Sequence, residues 1–405
     1  MGDSIAGAPA LAGIRVLDFT WVVAGPVATR ILADHGAEVV KVERKVPPPL
    51  GDRKRGLQCD LHRDKLSVAL NMAHPDGLAL ARKLAMKSDL VMDNFSARVM
   101  QAWGMDYTSL AKIKPDIICI SMSGLGHTGP RASYVSYGPT LQALGGYTQL
   151  MAEETGEPAG YGYSYADMAG GYTGALAALI ALYHKRRTGE GQFVDLSQFE
   201  AVVSVVGPAL LDIAVNEREQ QAPLYNSQEG PAAPHGVYRC GPLGDDDDRW
   251  VAISVRTQGE WERLVKAIGA PAWTSDAKFH TLYLRTKNHT ELNANLSQWT
   301  RQHGAEDAMM ILQCAKIAAG IVSNGADICA RDPQLKERGF WPGVLRADGG
   351  ISQITGIPFK LSATPGSVRT IAPEVGENTD AVLGELLGLS RAERDALIAS
   401  GAIWP

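Results

Sequence analysis

Between residues 14 and 122 five short apolar runs of β type, at 14–19, 38–42, 67–71, 90–93 and 116–122, alternate with stretches of helical pattern. Strands that are apolar on both faces and separated by helices are buried on both faces, which requires a parallel sheet covered on two sides. The fold expected is therefore α/β, with a doubly wound parallel sheet. Punctuation agrees. The first helix, expected over 26–35, starts behind Gly25-Pro26 and stops at Gly36, proline entering and glycine leaving.

A sixth β-type run at 193–196 follows a long small-residue helix, and a further helix is expected over 198–216. Residues 220–236 are polar and carry Pro and Gly, the composition of a linker or mobile loop. A second unit then begins at Val237, crosses an acidic turn at 244–248 and continues through a strand at 250–255 and a helix at 258–268. The chain closes with a run at 357–365 and one helix over 378–400. The Asp run reads as a solvated turn rather than a metal loop, because it lacks a matching set of oxygen ligands.

Composition narrows the function. With 405 residues, 45% of them hydrophobic and 20% charged, the chain is globular and long enough for two or three cores. A net charge of -5 leaves no basic footprint for nucleic acid. Five scattered cysteines without a close pair read as reduced thiols in a cytoplasmic protein, and neither a signal peptide nor a membrane span is expected.

The stretch Tyr163-Ser-Tyr165-Ala-Asp167 places one carboxylate at a helix start among aromatics, with Gly170 and Gly171 leaving room for a close approach. Two readings stand for Asp167: an N-cap of the helix that follows, or a reactive carboxylate. Gly124-Leu-Gly126-His-Thr-Gly129 spells a dinucleotide fingerprint after a strand, but Pro130 and the residues behind it read as loop, whereas a pyrophosphate needs a helix N-terminus there. Lys41, Arg44, Lys45, Arg53, Lys54 and Arg55 are either a solvated face or the seat of a ligand with several phosphates. No HExxH, GxSxG or GxxxxGK[ST] occurs, so neither a catalytic metal nor a serine nucleophile is expected.

Taken together, Leu11-Ala-Gly-Ile-Arg-Val-Leu-Asp-Phe19, Ala24-Gly25-Pro26, Leu32-Ala-Asp-His-Gly-Ala-Glu-Val-Val-Lys-Val-Glu43, Gly51-Asp52, Asn94-Phe95, Ser121-Met-Ser-Gly-Leu-Gly126 with Gly129-Pro130, Ala166-Asp167 and Arg187-Thr-Gly-Glu-Gly-Gln192 resemble the family III CoA-transferases. That group contains formyl-CoA and carnitine CoA-transferases and, as a divergent branch, α-methylacyl-CoA racemase. The resemblance covers nearly the whole chain and thins between Gln220 and Arg331. It implies a large domain from 1–197 and 331–405, a linker helix at 198–222, and a smaller α+β domain at 223–330. It also implies two interlocked subunits, either a homodimer or a heterodimer with a homologous chain. Acyl-CoA would be a substrate, with no metal and no nucleotide redox cofactor. CoA would lie against Val22, Val23, Ala24, Arg44, Leu70, Asn71, Met72, Ala73, Asn94, Phe95, Ser96 and Arg98, near Tyr134 and Tyr137, and the nucleophile would be Asp167.

Departures from the pattern bear on the acid. The family's frequent glutamine near the reacting carbonyl is Val23, an arginine in the helix after Asn94-Phe95 is Ala102 with Arg98 one turn earlier, and a lysine two positions before Tyr137 is Val135. The glycine-rich flap corresponds to residues 229–235, which here contain Pro231-Ala-Ala-Pro234. A less polar pocket suggests an acceptor with a sizeable apolar or aromatic body, benzylsuccinate-like or carnitine-like, and succinyl-CoA as donor. Three rivals remain: a racemase, for which the tyrosine at 137 is a poor base; a less active subunit of a heteromeric transferase; and a dehydrogenase using the glycine loop.

Overall fold

The computed structural model describes residues 7–45, 53–54, 56–151, 157–160, 162–217, 232–346 and 348–404. By its contacts the chain divides into two compact units. One comprises Met1–Tyr147, Tyr161–Leu211 and Pro333–Pro405, the other Thr148–Gly160 and Asp212–Asp332.

In the first unit six strands form one sheet: β1 (Arg15–Asp18), β2 (Glu38–Glu43), β3 (Lys65–Ala69), β4 (Leu90–Asp93), β5 (Ile118–Ser121) and β6 (Gln192–Asp195). Their order is β3-β2-β1-β4-β5-β6, and every neighbouring pair is parallel. The order reverses between β1 and β4, so the crevice expected of an open α/β sheet opens beyond the carboxyl ends of those two strands. Period-two alternation sends Leu17, Val40, Val68 and Val91 into one core layer, with the helices Pro75–Met86 and Thr379–Leu387. Val16, Val39, Leu90 and Ile118 enter the opposite layer, with Ala24–Asp34 and Tyr165–Thr188. A Cβ on Gly171 would stand 2.6 Å from the Val27 side chain and 2.8 Å from the Ala24 carbonyl. Glycine there lets the two helices touch; the close approach expected at this glycine is made by a neighbouring helix.

The second unit holds an antiparallel sheet of β7 (His235–Arg239), β8 (Trp250–Ser254) and β9 (Ala318–Ile321) over a core that includes Tyr238, Trp261, Leu264, Phe279 and Leu312. Asp246 of the acidic turn lies 3.6 Å from the Arg249 guanidinium. Buried Arg249, at the turn's end, pairs with Asp327 at 2.8 Å and Glu306 at 2.9 Å. A short hairpin, β10 (Gly343–Leu345) with β11 (Ile351–Gln353), returns to the first unit.

Four sequence expectations need correction. The third strand lies two residues earlier than expected, and Leu70 instead bridges Ile403. The helix expected over 198–216 is two, Gln198–Val205 and Gly207–Asn216, because Pro208 brings no N–H to the preceding turn. The helix expected over 378–400 is also two. Gly388 takes the left-handed conformation at φ 70° behind Leu387, and Ser390 opens Arg391–Ala399 by accepting from the Glu393 N–H. Residues 357–365 form neither helix nor strand.

Candidate active site

Ser164 is the N-cap of the helix Tyr165–Thr188, so Asp167 is its third residue and does not cap it. The carboxylate instead faces the Ala24 backbone N–H, at the start of the helix Ala24–Asp34. That helix has Val23 as its N-cap, with no side-chain oxygen to offer, so the anion at its positive end comes from 143 residues away in sequence. Burial raises Asp167 above the ordinary carboxylate range, while the Ser164 hydroxyl and the Ala24 N–H pull it partly back. The result is an ionisable, more basic carboxylate held between two helix starts.

Packing fixes its position. A Cβ on Gly138 would lie 1.5 Å from Ser164 Oγ, 2.8 Å from Ser164 Cβ and 2.4 Å from Asp167 Oδ2, so only glycine fits at the head of the helix Gly138–Leu144. Tyr165 packs on Tyr147 with ring centroids 5.2 Å apart, and Tyr163 meets Tyr165 edge-on at 6.5 Å.

The loop between β1 and Ala24 is braced from below and from the side. Fully buried Asp18 accepts from the Thr20 N–H and hydroxyl, from the Thr29 hydroxyl at 2.7 Å and from Lys65 at 3.2 Å, and Lys41 donates to the Thr20 carbonyl. Burial opposes ionisation of Asp18, yet Lys41, Lys65 and the two hydroxyls hold it below its ordinary range. Asn94, just past β4, clamps Trp21 by accepting from its N–H at 2.8 Å and donating to its carbonyl at 2.9 Å. Within this brace Val22 adopts φ 63°, an unfavourable conformation for a β-branched residue that only a rigid surround maintains.

Beside this loop opens a cavity of about 680 Å3. Val22, Arg44, Leu70, Asn71, Met72, Ala73 and Phe95, all expected from sequence, line it together. Val23, Ala24 and Asn94 adjoin it along the chain. Of the expected cationic cluster, Arg53 is ion-paired to Glu43 and Lys54 to Glu374, while Gly51, Asp52 and Arg55 lie outside the described residues. Arg44 is exposed and, among the described residues, has no side-chain partner. Sequence reasoning missed buried Gln58 and His62 and the distant Trp404, all on the cavity wall. Burial, with Lys41, Lys65 and Arg53 nearby, keeps His62 well below its usual pKa and hence neutral.

Other expected residues lie elsewhere. Ser96 and Arg98 line a separate cavity of about 450 Å3 over β4 and β5. Tyr134 and Tyr137 are 58% and 55% exposed and border neither cavity, although Tyr137 directly precedes Gly138. The glycine loop holds no helix before Gly138 and is tied to β6, the His127 N–H donating to Asp195 at 3.0 Å. A pyrophosphate at a helix start behind those glycines therefore has no seat. Residues 229–231 of the expected flap lie outside the described residues.

A sequence profile described as CoA-transferase family III matches residues 11–379. The chain belongs to CoA-transferase family III. It is 29% identical to a succinyl-CoA–D-citramalate CoA-transferase of Chloroflexus aurantiacus, covering 96% of this chain and 97% of that one. It is 30% identical to the beta subunit of a succinyl-CoA–L-malate CoA-transferase from the same organism, covering 94% of both, and 30% identical to a formyl-CoA:oxalate CoA-transferase of a Bradyrhizobium species, covering 98% of both. Among solved structures, a CAIB/BAIF family protein from Brucella suis superposes with a TM-score of 0.82 at 27% identity, covering 94% of this chain and all of that one. The enzyme is accordingly a CoA-transferase with acyl-CoA as substrate. Among the described residues no group of His, Cys, Asp and Glu is placed to hold a metal, and no single helix is long and apolar enough to cross a membrane.

Proposed function

We propose that this family III enzyme moves CoA from a donor acyl-CoA to a carboxylic acid by covalent catalysis at Asp167. The carrying observation is a basic, buried carboxylate facing the first N–H of the helix whose preceding loop borders the 680 Å3 cavity. That cavity suits the nucleotide end of CoA: Arg44 meets phosphate, and the apolar lining with Asn71 and His62 accepts the adenine ring and its edges. Val22, Val23, Ala24, Asn94 and Phe95 lead from there toward Asp167.

Asp167 attacks the thioester carbonyl and expels the CoA thiolate, leaving a mixed anhydride. The thiolate then attacks the aspartyl carbonyl, releasing the donor acid and forming an enzyme thioester. The acceptor acid runs both steps in reverse. An anhydride carries at least the acyl activation of a thioester, so activation is conserved without ATP. The Ala24 N–H, already aimed at Asp167, is one donor in place for the oxyanion. Succinyl-CoA as donor is supported by the relatives whose names specify it. Val23, where the family often carries a glutamine, favours an acceptor with a sizeable apolar or aromatic body.

An assembly of two chains, alike or homologous, is supported by the helix Tyr165–Thr188. Its residues Tyr172, Leu176, Ile180 and Tyr183 are 52–63% exposed at a spacing that places them on one face. Relatives named as alpha and beta subunits exist.

Hydroxylamine added to enzyme and donor acyl-CoA should trap a hydroxamate on the peptide carrying Asp167. Asp167→Asn should lose turnover by orders of magnitude and keep CoA binding. Near-normal exchange in the Asn variant, or label on Glu157, would refute the assignment.

A further inference from the structure

The 450 Å3 cavity at the carboxyl ends of β4 and β5 plays no part in the chemistry above. Its side walls are apolar, with Val91, Met100, Cys119 and Phe193, and Tyr107 stacks on Phe193 at 6.3 Å. Its base is polar. Asp93 and Ser121 are register partners on the two strands, which brings the Ser121 hydroxyl to donate to Asp93 Oδ1 at 3.1 Å; the Phe95 N–H donates to the same oxygen at 3.1 Å. His127 Nε2 stands 2.7 Å from Ser121 Oγ.

These three groups do not form a nucleophilic triad. Such a triad needs the carboxylate on the histidine, whereas here Asp93 meets Ser121 and the Phe95 N–H. What remains is a set of donors. Asp93 is buried with no cation beside it, and burial, against the opposing Phe95 N–H and Ser121 hydroxyl, pushes it up to about 7. A neutral carboxyl group donates a hydrogen bond. At the cavity's edge Arg98 is exposed, held in a left-handed conformation at φ 92°, and has no acidic partner among the described residues. A residue other than glycine is kept in that conformation only where its surroundings fix it.

We infer that this second cavity is a binding site for a small monocarboxylic acid with an apolar or aryl body, its carboxylate on Arg98 and its body against Met100 and Phe193. One guanidinium matches one carboxylate, and the apolar walls disfavour a hydrated dianion such as inorganic phosphate. The charged and titratable groups facing the site are Arg98, Asp93, His127 from the glycine loop, Asp106 and Tyr107 from the turn after Met105, and Cys119 from β5. Ionisation of Asp93 adds a negative charge at the base, so affinity for a carboxylate falls as pH rises through about 7.

The probe is benzoate, added to the full chain with CoA present in excess and no donor thioester, so that nothing turns over. Histidines labelled with 13C report on the site, the His127 signal being identified by its absence in His127→Gln. The His127 resonance should shift saturably at millimolar benzoate. Arg98→Met should weaken binding by about tenfold, as loss of one charge-assisted pair requires, with Arg98→Lys intermediate. Should Arg98→Met misfold, Ser133→Trp at the exposed rim should close the mouth and abolish the shift. Asp93→Asn should keep binding and lose the part of its pH dependence that Asp93 supplies. An unmoved His127 resonance, or an Arg98→Met enzyme that binds benzoate as tightly as the native one, overturns the site. Neither outcome touches CoA transfer through Asp167, which is read with a thioester and by trapping.

Discussion

Gly138→Ala tests the placement of Asp167 without changing any group that reacts. Glycine 138 opens a helix at an ordinary negative φ, so alanine costs no backbone strain and is the better helix former by about 1 kcal/mol. Its Cβ, however, would stand 2.4 Å from Asp167 Oδ2 and 2.8 Å from Ser164 Cβ, against the 3.0 Å that real Cβ contacts respect. A flip of the Ser164 hydroxyl relieves its own 1.5 Å clash but moves neither the Ser164 Cβ nor the carboxylate. Asp167 must therefore retreat by about 0.6 Å (3.0 − 2.4) from Gly138. A misplacement of about 1 Å at a reacting centre costs about 100-fold, so kcat should fall by about 10- to 100-fold. The dissociation constant for CoA should hold, since the 680 Å3 cavity does not include Gly138. Acyl exchange read by mass, CoA binding by calorimetry and a thermal melt separate the three quantities. Adding Ser164→Gly removes the 1.5 and 2.8 Å contacts but leaves the 2.4 Å one, so rescue should be partial. A folded Gly138→Ala enzyme with undiminished kcat would show that Asp167 tolerates displacement and is not the attacking group.

Arg44→Ala should raise the KM for acyl-CoA more than it lowers kcat, because a phosphate contact is made equally in ground and transition states; steady-state kinetics with an unchanged KM would move CoA elsewhere. In D2O with a 2-methylacyl-CoA and no acceptor, mass spectrometry should find essentially no deuterium at the α carbon, whereas rapid incorporation would establish a racemase. Since burial raises Asp167 and only its ionised form attacks, single-turnover acylation should lose rate on acidification from a pH above the ordinary carboxylate value of about 4, and a limb at or below that value would count against Asp167.

Much of the sheet was legible because its strands are apolar on both faces, a pattern that parallel pairing alone explains, and because Gly36 punctuates the first helix. Two missed breaks were also written locally. Gly388 followed by Ser390-x-x-Glu393 is a stop and a capping box in sequence, and Gly207-Pro208 is a break, yet each stretch reads as one helix when these signals are passed over. The site divides in the same way. Arg44, the 70–73 segment and Phe95 sit at strand ends, where topology brings them together, so their common cavity could be anticipated from strand order.

What could not be read depends on partners distant in sequence. Arg53 counts as a free cation until β2 and the 53–54 segment are placed and Glu43 takes it up. Asp167 looks like the cap of its own helix until helix packing lays its carboxylate on Ala24, and Gly138 carries no signal before Ser164 arrives against it. The second cavity follows from one register fact: pairing of Asp93 with Ser121 turns two unremarkable strand ends into a hydrogen-bonded pair, and His127 extends it because the glycine loop is pulled back onto Asp195. A shift of that register by one residue would send Ser121 to the opposite face of the sheet, leaving Asp93 buried with the Phe95 N–H as its donor. The side-chain donor that helps hold Asp93 near 7, and with it the chain of groups at the cavity base, is thus set by strand pairing rather than by any motif along the chain.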